Sequence, residues 1–425
     1  MKFFAYLLLG FLTLGKIAQA QDKLVVMHYN LLNYGNITGY CTTSNNSMLN
    51  KEQYLRTIIN YIKPDIFGVN ELAANTYVVN RLLDSVMNYQ STKTYSRGNY
   101  LNAAGSDLIS MVYYNNQKLA LAQTISLQKH VRDIILYRLY YRSPNLPQTH
   151  DTVWINVISG HLKAGSTTSE QADRALMTAN AITYLKNHHY PGNYIFMGDF
   201  NIQTSSETSY QNLISSSAGN FIFKDPIQQN GSWNNNNNFS NLHTQSTHST
   251  SNGCASTGGM DDRFDFILVS STIFQCLDRI CYKAGSYQSV GNDGNHYNQS
   301  INSGTNNSVP ASVLQALYNN SDHLPVVLTL DVSATVSSLS ATSKPLPYKI
   351  TNPVEEQLTI FFQTPIYDDI QIRIFGMDGK LISQTLESSK GPMLLMDLSR
   401  LSSGIFILEV QMTNHPAYRS KIIKL

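Results

Sequence analysis

The chain has 425 residues, which at roughly 150 residues per domain suggests two or three domains, or one large layered domain with a small module. Hydrophobic residues make up 42% of it, ample for a core, so a disordered chain is excluded. Charged residues are only 14%, and 30 basic against 28 acidic side chains leave a formal +2; this excludes a strongly basic nucleic-acid-binding domain, but not a site whose positive charge comes from a bound cation.

The first predicted element is an address. Lys2 precedes an apolar run, Phe3–Leu14, and Ala18-Gln19-Ala20 has the small-x-small form of a signal-peptidase site. The run is shorter than the roughly 20 apolar residues of a membrane-spanning helix. Residues 1–20 are therefore expected to be a signal peptide. Their removal takes away Lys2 and Lys16 and no acid, so the +2 belongs to the leader and the mature chain is formally neutral. No later segment reads as a membrane span, and the mature protein is expected outside the cytoplasm as a monomer, in a compartment where disulfides persist.

Residues 21–331 alternate strand-like and helix-like segments. Leu24–Asn30 is apolar and β-rich. Lys51–Ile62 carries Leu55, Ile58, Ile59 and Ile62 at helical spacing, and Pro64 stops it. Ile66–Val69, Leu108–Tyr114, Ile134–Tyr141 and Val153–Gly160 read as strands. Glu170–Asn187 reads as a helix with Ala172, Leu176, Ala179, Ile182 and Leu185 inside. Tyr194–Met197, Arg263–Val269 and Val326–Leu330 complete the strands, and the alternation predicts a layered α/β domain.

Polar residues stand at nearly every one of these strand ends, where ligand sites of α/β sheets gather. Asn30 ends the first strand, Glu71 follows the Asp65–Asn70 segment, and His161 follows Val157-Ile158-Ser159-Gly160. Asp199 and Asn201 lie in Gly198-Asp199-Phe200-Asn201, Asp265 in Arg263-Phe264-Asp265-Phe266, and Asp322 and His323 in Ser321-Asp322-His323-Leu324-Pro325. Singly, each could be a cap or a surface contact; together and in this order they resemble the endonuclease/exonuclease/phosphatase superfamily. That family includes pancreatic-type deoxyribonuclease, abasic-site endonucleases, inositol phosphate phosphatases and neutral sphingomyelinases. The resemblance spans roughly residues 23–331 and is carried mainly by the Gly-Asp-Phe-Asn and Ser-Asp-His-x-Pro elements. It implies a four-layer α/β/β/α sandwich, two central sheets covered by helices, and metal-assisted hydrolysis of a phosphate ester.

That chemistry asks for an activated water, neutralised phosphoryl oxygens and a stabilised leaving group. Mg²⁺, or Mn²⁺, meets the second and third demands with oxygen ligands, and Ca²⁺ is a further candidate as a structural ion. The resemblance gives the metal to Glu71 and Asn30, with Asp322 directly or through water. It makes His323 the general base, oriented by Asp265, because a neutral imidazole accepts a proton near neutral pH. Asp199 would position the attacking water, and Asn201 and His161 would donate hydrogen bonds to the phosphoryl oxygens. Arg132 and Arg138 precede the His161 strand, where the family often places a phosphate-contacting Arg; Arg132 is the first candidate. Tyr113 and Tyr114 read as core-edge residues. No Cys/His cluster has zinc spacing.

Cys276 and Cys281 are close enough for a local disulfide, and Cys41 and Cys254 would then pair by elimination; the other two pairings stay open. Such a Cys41–Cys254 bond would staple two long polar loops that flank site strands. Asn234–Asn238 is a run of five Asn, and residues 285–321 are rich in Asn, Gly and Ser, so both read as surface insertions. His243, His248 and His296 sit in these stretches without the spacing of a known metal site.

Residues 332–347 are Ser, Thr, Ala and Pro with almost no charge and read as a linker. In residues 348–425 short β-like runs, Leu358–Phe362, Ile370–Phe375, Lys380–Gln384, Ile405–Gln411 and Lys421–Ile423, alternate with turn signals, which predicts a small β-sandwich. Asn352-Pro353-Val354, the Ile374–Lys380 turn, Asp397-Leu398-Ser399, Ser403-Gly404-Ile405-Phe406 and the terminal Lys421–Leu425 resemble, in order, the type A sorting domain of the type IX secretion system. The resemblance implies handling by that machinery, passage across both membranes, and release or surface attachment. The favoured substrate is nucleic acid, DNA or else RNA, cleaved at its phosphodiester bonds. A sphingomyelinase-like phospholipid substrate is disfavoured because no compact Trp/Phe-rich hairpin is present; a phosphatase, and a catalytically silent adhesion protein, are the other readings.

Overall fold

The computed structural model describes residues 22–425 apart from 91–92, 144–145, 147–151, 189, 216–221, 334–347, 367–368, 377–379, 389–390 and 413–417. The expected signal peptide and nearly all of the expected linker lie outside the described residues. Two compact units emerge, Met1–Val336 and Ser337–Leu425.

The strands of the first unit are β1 (Asp22–Tyr34), β2 (Ile66–Ala73), β3 (Tyr95–Arg97), β4 (Leu108–Asn115), β5 (Leu119–Gln128), β6 (Ile134–Tyr141) and β7 (Trp154–His161). They continue with β8 (Asn193–Asp199), β9 (Phe223–Lys224), β10 (Asp265–Ser270), β11 (Ile280–Tyr282), β12 (Gln288–Ser289) and β13 (Val326–Val332). One sheet runs β11-β13-β1-β2-β4-β3, with β12 also on β13; the other runs β5-β6-β7-β8-β10-β9. The sheets pack face to face: β1 lies against β8 and β10, and β2 against β7 and β8. The central strands are buried on both faces and read as near-continuous apolar runs, as expected of strands covered on both sides.

Helices close the outer faces. On the first sheet, α1 (Met48–Ile62) packs on β1, and α2 (Thr76–Leu82) on β2. Leu55, Ile58 and Ile59 form the buried stripe of α1, and Lys63, in the left-handed region at φ 54°, ends it by donating its N–H to the Ile59 carbonyl at 2.7 Å. On the second sheet, α3 (Thr168–His188) packs on β5 and on α4 (Thr208–Ile214). The start of α3 is a reciprocal cap: the Thr167 N–H reaches Glu170 Oε2 at 3.0 Å, and the Glu170 N–H returns to Thr167 Oγ1 at 3.4 Å. Two short helices, α5 (Ser271–Phe274) and α6 (Ala311–Asn320), follow, and α6 rests on α1. One core lies between the sheets and under α1 and α2; a second, with Phe196, Phe200, Trp233 and Phe266, lies between the second sheet and its helices. This is the expected four-layer α/β/β/α sandwich.

The inner stripe of α3 differs from expectation. Leu176 is exposed, whereas Arg174, Met177, Thr178, Ala181, Ile182 and Leu185 are buried. The helix turns an Arg inward because Arg174 is satisfied there, bonding both oxygens of Glu207 and the carbonyls of Lys163 and Gly165.

In the second unit, seven strands form a three-stranded sheet and a four-stranded sheet around Leu358, Ile360, Ile372, Leu408, Val410 and Ile422, the expected small sandwich. The strands Tyr348–Ile350 and Gly391–Asp397 were not foreseen. In the latter burial alternates only from Met393 onward, its Met-Leu-Leu-Met run shows no alternation in sequence, and Gly and Pro stand at its start, which hides it.

Candidate active site at the strand ends

Three of the expected residues share one row of the second sheet. In the β7-β8-β10 register His161 lies beside Asp199, and Asp199 beside Asp265. The row holds a tight approach just behind it, where Gly160 pairs with Gly198. A Cβ on Gly198 would run into the Gly160 carbonyl oxygen, so this position needs glycine. Beyond the row the chain turns at Asn201, in the left-handed region at φ 51°, whose N–H bonds Asp199 Oδ1 at 3.1 Å.

The first sheet delivers its residues less regularly. Val69 pairs with Met111 and Leu72 with Ile109, so Asn70 and Glu71 together oppose Ser110 in a β-bulge. Glu71 is left-handed at φ 61°, as are Leu32 and Asn33 at 46° and 49° beyond Asn30. The bulge turns Glu71 toward Asn30, whose Nδ2 donates to Glu71 Oε1 at 3.0 Å and to Asp199 Oδ2 at 2.9 Å. Asn70, the other bulge residue, accepts the Asp199 N–H at 2.8 Å, so the two sheets are tied at this point.

Asp265 stands between two imidazoles. Its Oδ2 accepts from His323 Nδ1 at 2.7 Å, and its Oδ1 lies 3.2 Å from His28 Nε2. All three are buried. Burial alone would raise the Asp265 carboxyl, but the charges and hydrogen bonds of His323 and His28 outweigh it and hold the group well below the usual carboxylate range. Burial opposes the charge on His323 too, yet Asp265 and Asp199 together raise it well above the ordinary histidine value. Asp199, whose Oδ2 lies 3.5 Å from His161 Nε2 and 3.8 Å from His323 Nε2, is pushed up to about 7 by burial despite the neighbouring His323. His161 moves the other way, depressed by burial and then by the charge of Arg132.

Glu71, His161 and Asp199 each offer a ligand atom within 4.8 Å of the others, the one such grouping among the described residues. Asp322 Oδ2 accepts the Ser256 N–H at 2.8 Å, while its Oδ1 is buried without a hydrogen-bond partner. Oxygen-rich donors with an unmatched buried carboxylate oxygen fit a hard divalent cation. The Asn30 amide presents its nitrogen to both acids and its oxygen to the Leu32 N–H, so Asn30 joins such a ligand set only after turning its amide over. Glu71, His161, Asp199, Asn201, Asp322 and His323 all line one cleft of about 420 Å³.

The remaining expectations separate. Arg132 donates to the Leu162 carbonyl at 3.3 Å and lies within electrostatic reach of Glu71 and Asp199. Arg138 is not brought to the cleft. It stands opposite Asn156, five residues down the strand from His161, and its guanidinium lies 4.6 Å from the Trp154 ring and 4.5 Å from Tyr190, where it serves packing. Tyr113 is fully buried and Tyr114 nearly so. In the insertions, His296 spends both ring nitrogens, on Asp293 Oδ1 at 2.8 Å and the Ser303 carbonyl at 2.7 Å. His243 likewise contacts the Trp233 and Met260 carbonyls, so neither offers a lone pair to a metal. The disulfides are Cys41–Cys254 and Cys276–Cys281.

Sequence reasoning missed His28, Asn70 and Gln245. Gln245 Nε2 lies 2.7 Å from His323 Nε2, at the mouth of the cleft. His28 had a usable signal: it is two residues before Asn30 on one strand, hence on the same face. Gln245 had none, because it sits in a polar loop among many amides.

Residues 351–425 match the family model of the secretion system C-terminal sorting domain. The C-terminal unit is a secretion-system sorting domain. It directs export through the type IX secretion system to the cell surface or the extracellular space. No helix among the described residues is long and apolar enough to cross a membrane. No curated protein matches the chain in sequence. Similar solved structures include the human Nocturnin catalytic domain with bound sulfate, at 15% identity, covering 74% of this chain and 97% of that one, with a TM-score of 0.45. A Danio rerio TDP2 complexed with a single-strand DNA product is 12% identical, covering 73% and 99%, with a TM-score of 0.44. A Bacteroides thetaiotaomicron mannosyl-6-phosphatase is 16% identical, covering 72% and 99%, with a TM-score of 0.42.

Proposed function

We propose that the mature protein is an exported, metal-dependent phosphoesterase that hydrolyses phosphodiester bonds, with nucleic acid as its substrate. The observation that carries the reading is the convergence of Asp265 between two imidazoles with the Glu71, His161 and Asp199 grouping in one cleft. Glu71 and Asp199, with Asp322 and a reoriented Asn30, would hold Mg²⁺ or Mn²⁺, which when bound neutralises phosphoryl oxygens and the leaving oxygen.

The chain's own residues supply the rest. His323 takes the proton of the attacking water on Nε2, while Asp265 fixes its tautomer through Nδ1 and stabilises the imidazolium that forms. His28 holds Asp265 from behind. Asp199, 3.8 Å from His323 Nε2, orients the water toward the base. Asn201 and His161 face the phosphoryl oxygens as hydrogen-bond donors. Among the described residues, no Lys or Arg lines the cleft, while Arg132 and the buried Lys51 lie within electrostatic reach of its carboxylates.

A substrate panel tests this: plasmid DNA, RNA, sphingomyelin, an inositol phosphate, a sugar 6-phosphate and bis-p-nitrophenyl phosphate. The expected order puts nucleic acid and the model diester first. Turnover of monoesters or lipid with no cleavage of either nucleic acid would contradict the substrate assignment.

A further inference from the structure

Two residues on the cation-holding side of the cleft, Glu71 and Asp322, are oriented by backbone N–H groups, a third N–H fixes the present setting of the Asn30 amide, and all three donors lie beside one disulfide. The Leu32 N–H holds Asn30 Oδ1 at 3.0 Å, and the Asn33 N–H holds Glu71 Oε2 at 2.9 Å. The Ser256 N–H holds Asp322 Oδ2 at 2.8 Å. Leu32 packs in a small apolar cluster with Cys41, Cys254 and Ala255, and Asn33 Nδ2 lies 3.6 Å from Cys41 Sγ. Ser256 is two residues beyond Cys254.

Little else fastens these loops to one another. Leu32 and Asn33 are both left-handed, a conformation that a side-chain-bearing residue keeps only when its surroundings impose it. The Cys254 loop has Gly253, Gly258 and Gly259 at positive φ and bridges to the Cys41 loop through one amide contact, Asn45 Nδ2 to the Asn252 carbonyl at 3.3 Å. The disulfide joins positions 213 residues apart, and without it the two loops are held to one another, among the described contacts, by that amide contact and the apolar packing around Leu32. Cys41 is buried, whereas Cys254 is partly exposed and lines the cleft, which gives an oxidant or reductant access.

We propose that the Cys41–Cys254 bond is an oxidation switch that completes the cation-holding side of the cleft, so that the enzyme is nearly silent while these cysteines are thiols and becomes active when they are oxidised during export. The reaction is a thiol–disulfide exchange. Each cysteine gives up its S–H proton and one electron as the S–S bond forms, and the oxidant, itself a disulfide, takes both and leaves as two thiols. A chain made in a reducing compartment and exported to an oxidising one would thus acquire its activity after leaving the polymer that it could otherwise damage. The inference rests on the phosphoesterase reading for its consequence, and on the loop geometry for its mechanism.

The test compares the oxidised mature protein with the same protein after mild reduction, and with Cys41→Ser/Cys254→Ser and Cys276→Ser/Cys281→Ser double variants. Mn²⁺ affinity is measured by calorimetry and bis-p-nitrophenyl phosphate turnover at limiting and saturating Mn²⁺, with folding checked by far-ultraviolet dichroism. Loss of groups that orient metal ligands costs about 10–100-fold in metal affinity, and that loss is expected for the reduced protein and for the first variant. Turnover should fall in parallel at limiting Mn²⁺ and recover in part at saturation, while the second variant stays near the oxidised protein. Equal Mn²⁺ affinity in oxidised and reduced forms, or an equal loss in the second variant, would overturn the switch. If the first variant fails to fold, reduction of the already folded protein decides the matter. An oxidised protein that hydrolyses no phosphate ester would instead defeat the phosphoesterase reading, and the affinity comparison would still judge the switch.

Discussion

The two sheets of the first unit reach the same cleft by different means. The second sheet uses register alone: His161, Asp199 and Asp265 are neighbours across three regular strands, fixed by ladder hydrogen bonds. The first sheet uses irregularity: a bulge at Asn70 and Glu71, left-handed Leu32 and Asn33, and loops tied by a disulfide. The difference cuts across the proposed roles. Asp265 and Asp199 stand on the rigid ladder of the second sheet, one beside the proposed base and the other on the proposed cation. Glu71, Asn30 and the segment carrying His323 come from the first sheet, where the backbone leaves the ladder to aim them.

The comparison can be broken most sharply at the proton-handling residues. His323→Ala should lower kcat by about 10²–10⁴-fold with an unchanged dichroism spectrum; a near-normal rate would remove it as the base. The pH profile carries a related expectation. His323 is raised above the ordinary histidine value by Asp265 and Asp199, so it stays protonated, and unable to accept, to higher pH. Activity should therefore climb through a limb above pH 6.5, and Asp265→Asn, which removes one of the two acids holding that charge, should move the limb to lower pH. A limb that stays in place would contradict the pairing.

On the cation side, Glu71→Gln should raise the Mn²⁺ concentration for half-maximal rate by about 10–100-fold and be partly rescued by excess metal. Rescue of His323→Ala in the same way would erase the distinction between the proposed base and the cation ligands. Next in size, Gly198→Ala should destabilise the fold by about 1–3 kcal/mol, read as a lower Tm, because its methyl meets the Gly160 carbonyl. An unchanged Tm would show that the row of site residues is less rigidly set than the ladder implies. The smallest effect belongs to Arg138→Ala: turnover within about twofold of the parent, and a loss of about 0.5–1 kcal/mol from its aromatic contacts. A large kinetic loss there would return it to the cleft.

What the sequence disclosed follows the same division. The ladder residues were readable because each follows or opens an apolar run, and the two elements Gly198–Asn201 and Ser321–Pro325 are distinctive. The layered fold was readable from the strand and helix alternation. The bulge was not, because an extra residue in a strand leaves no mark in an apolar pattern, and so Asn70 passed as a strand residue beside Glu71. His28 was not singled out because it lies inside the apolar run Leu24–Asn30, beside Val26, Met27 and Tyr29. Arg138 was drawn in by the resemblance, which places a phosphate-contacting Arg before the His161 strand, but it pairs with Asn156, and an extended strand at about 3.3 Å per residue carries that position five residues away from His161. The pairing of Cys41 with Cys254 followed only by elimination, since nothing local joins positions so far apart.

The central claim is that Glu71, Asp199 and their neighbours act through a bound divalent cation on a phosphodiester. The most direct measurement is the hydrolysis of bis-p-nitrophenyl phosphate by the oxidised mature protein, before and after chelation and again after Mg²⁺ or Mn²⁺ is restored. Activity that disappears with chelator and returns with the cation is the expected result. Full turnover in excess chelator would contradict the account.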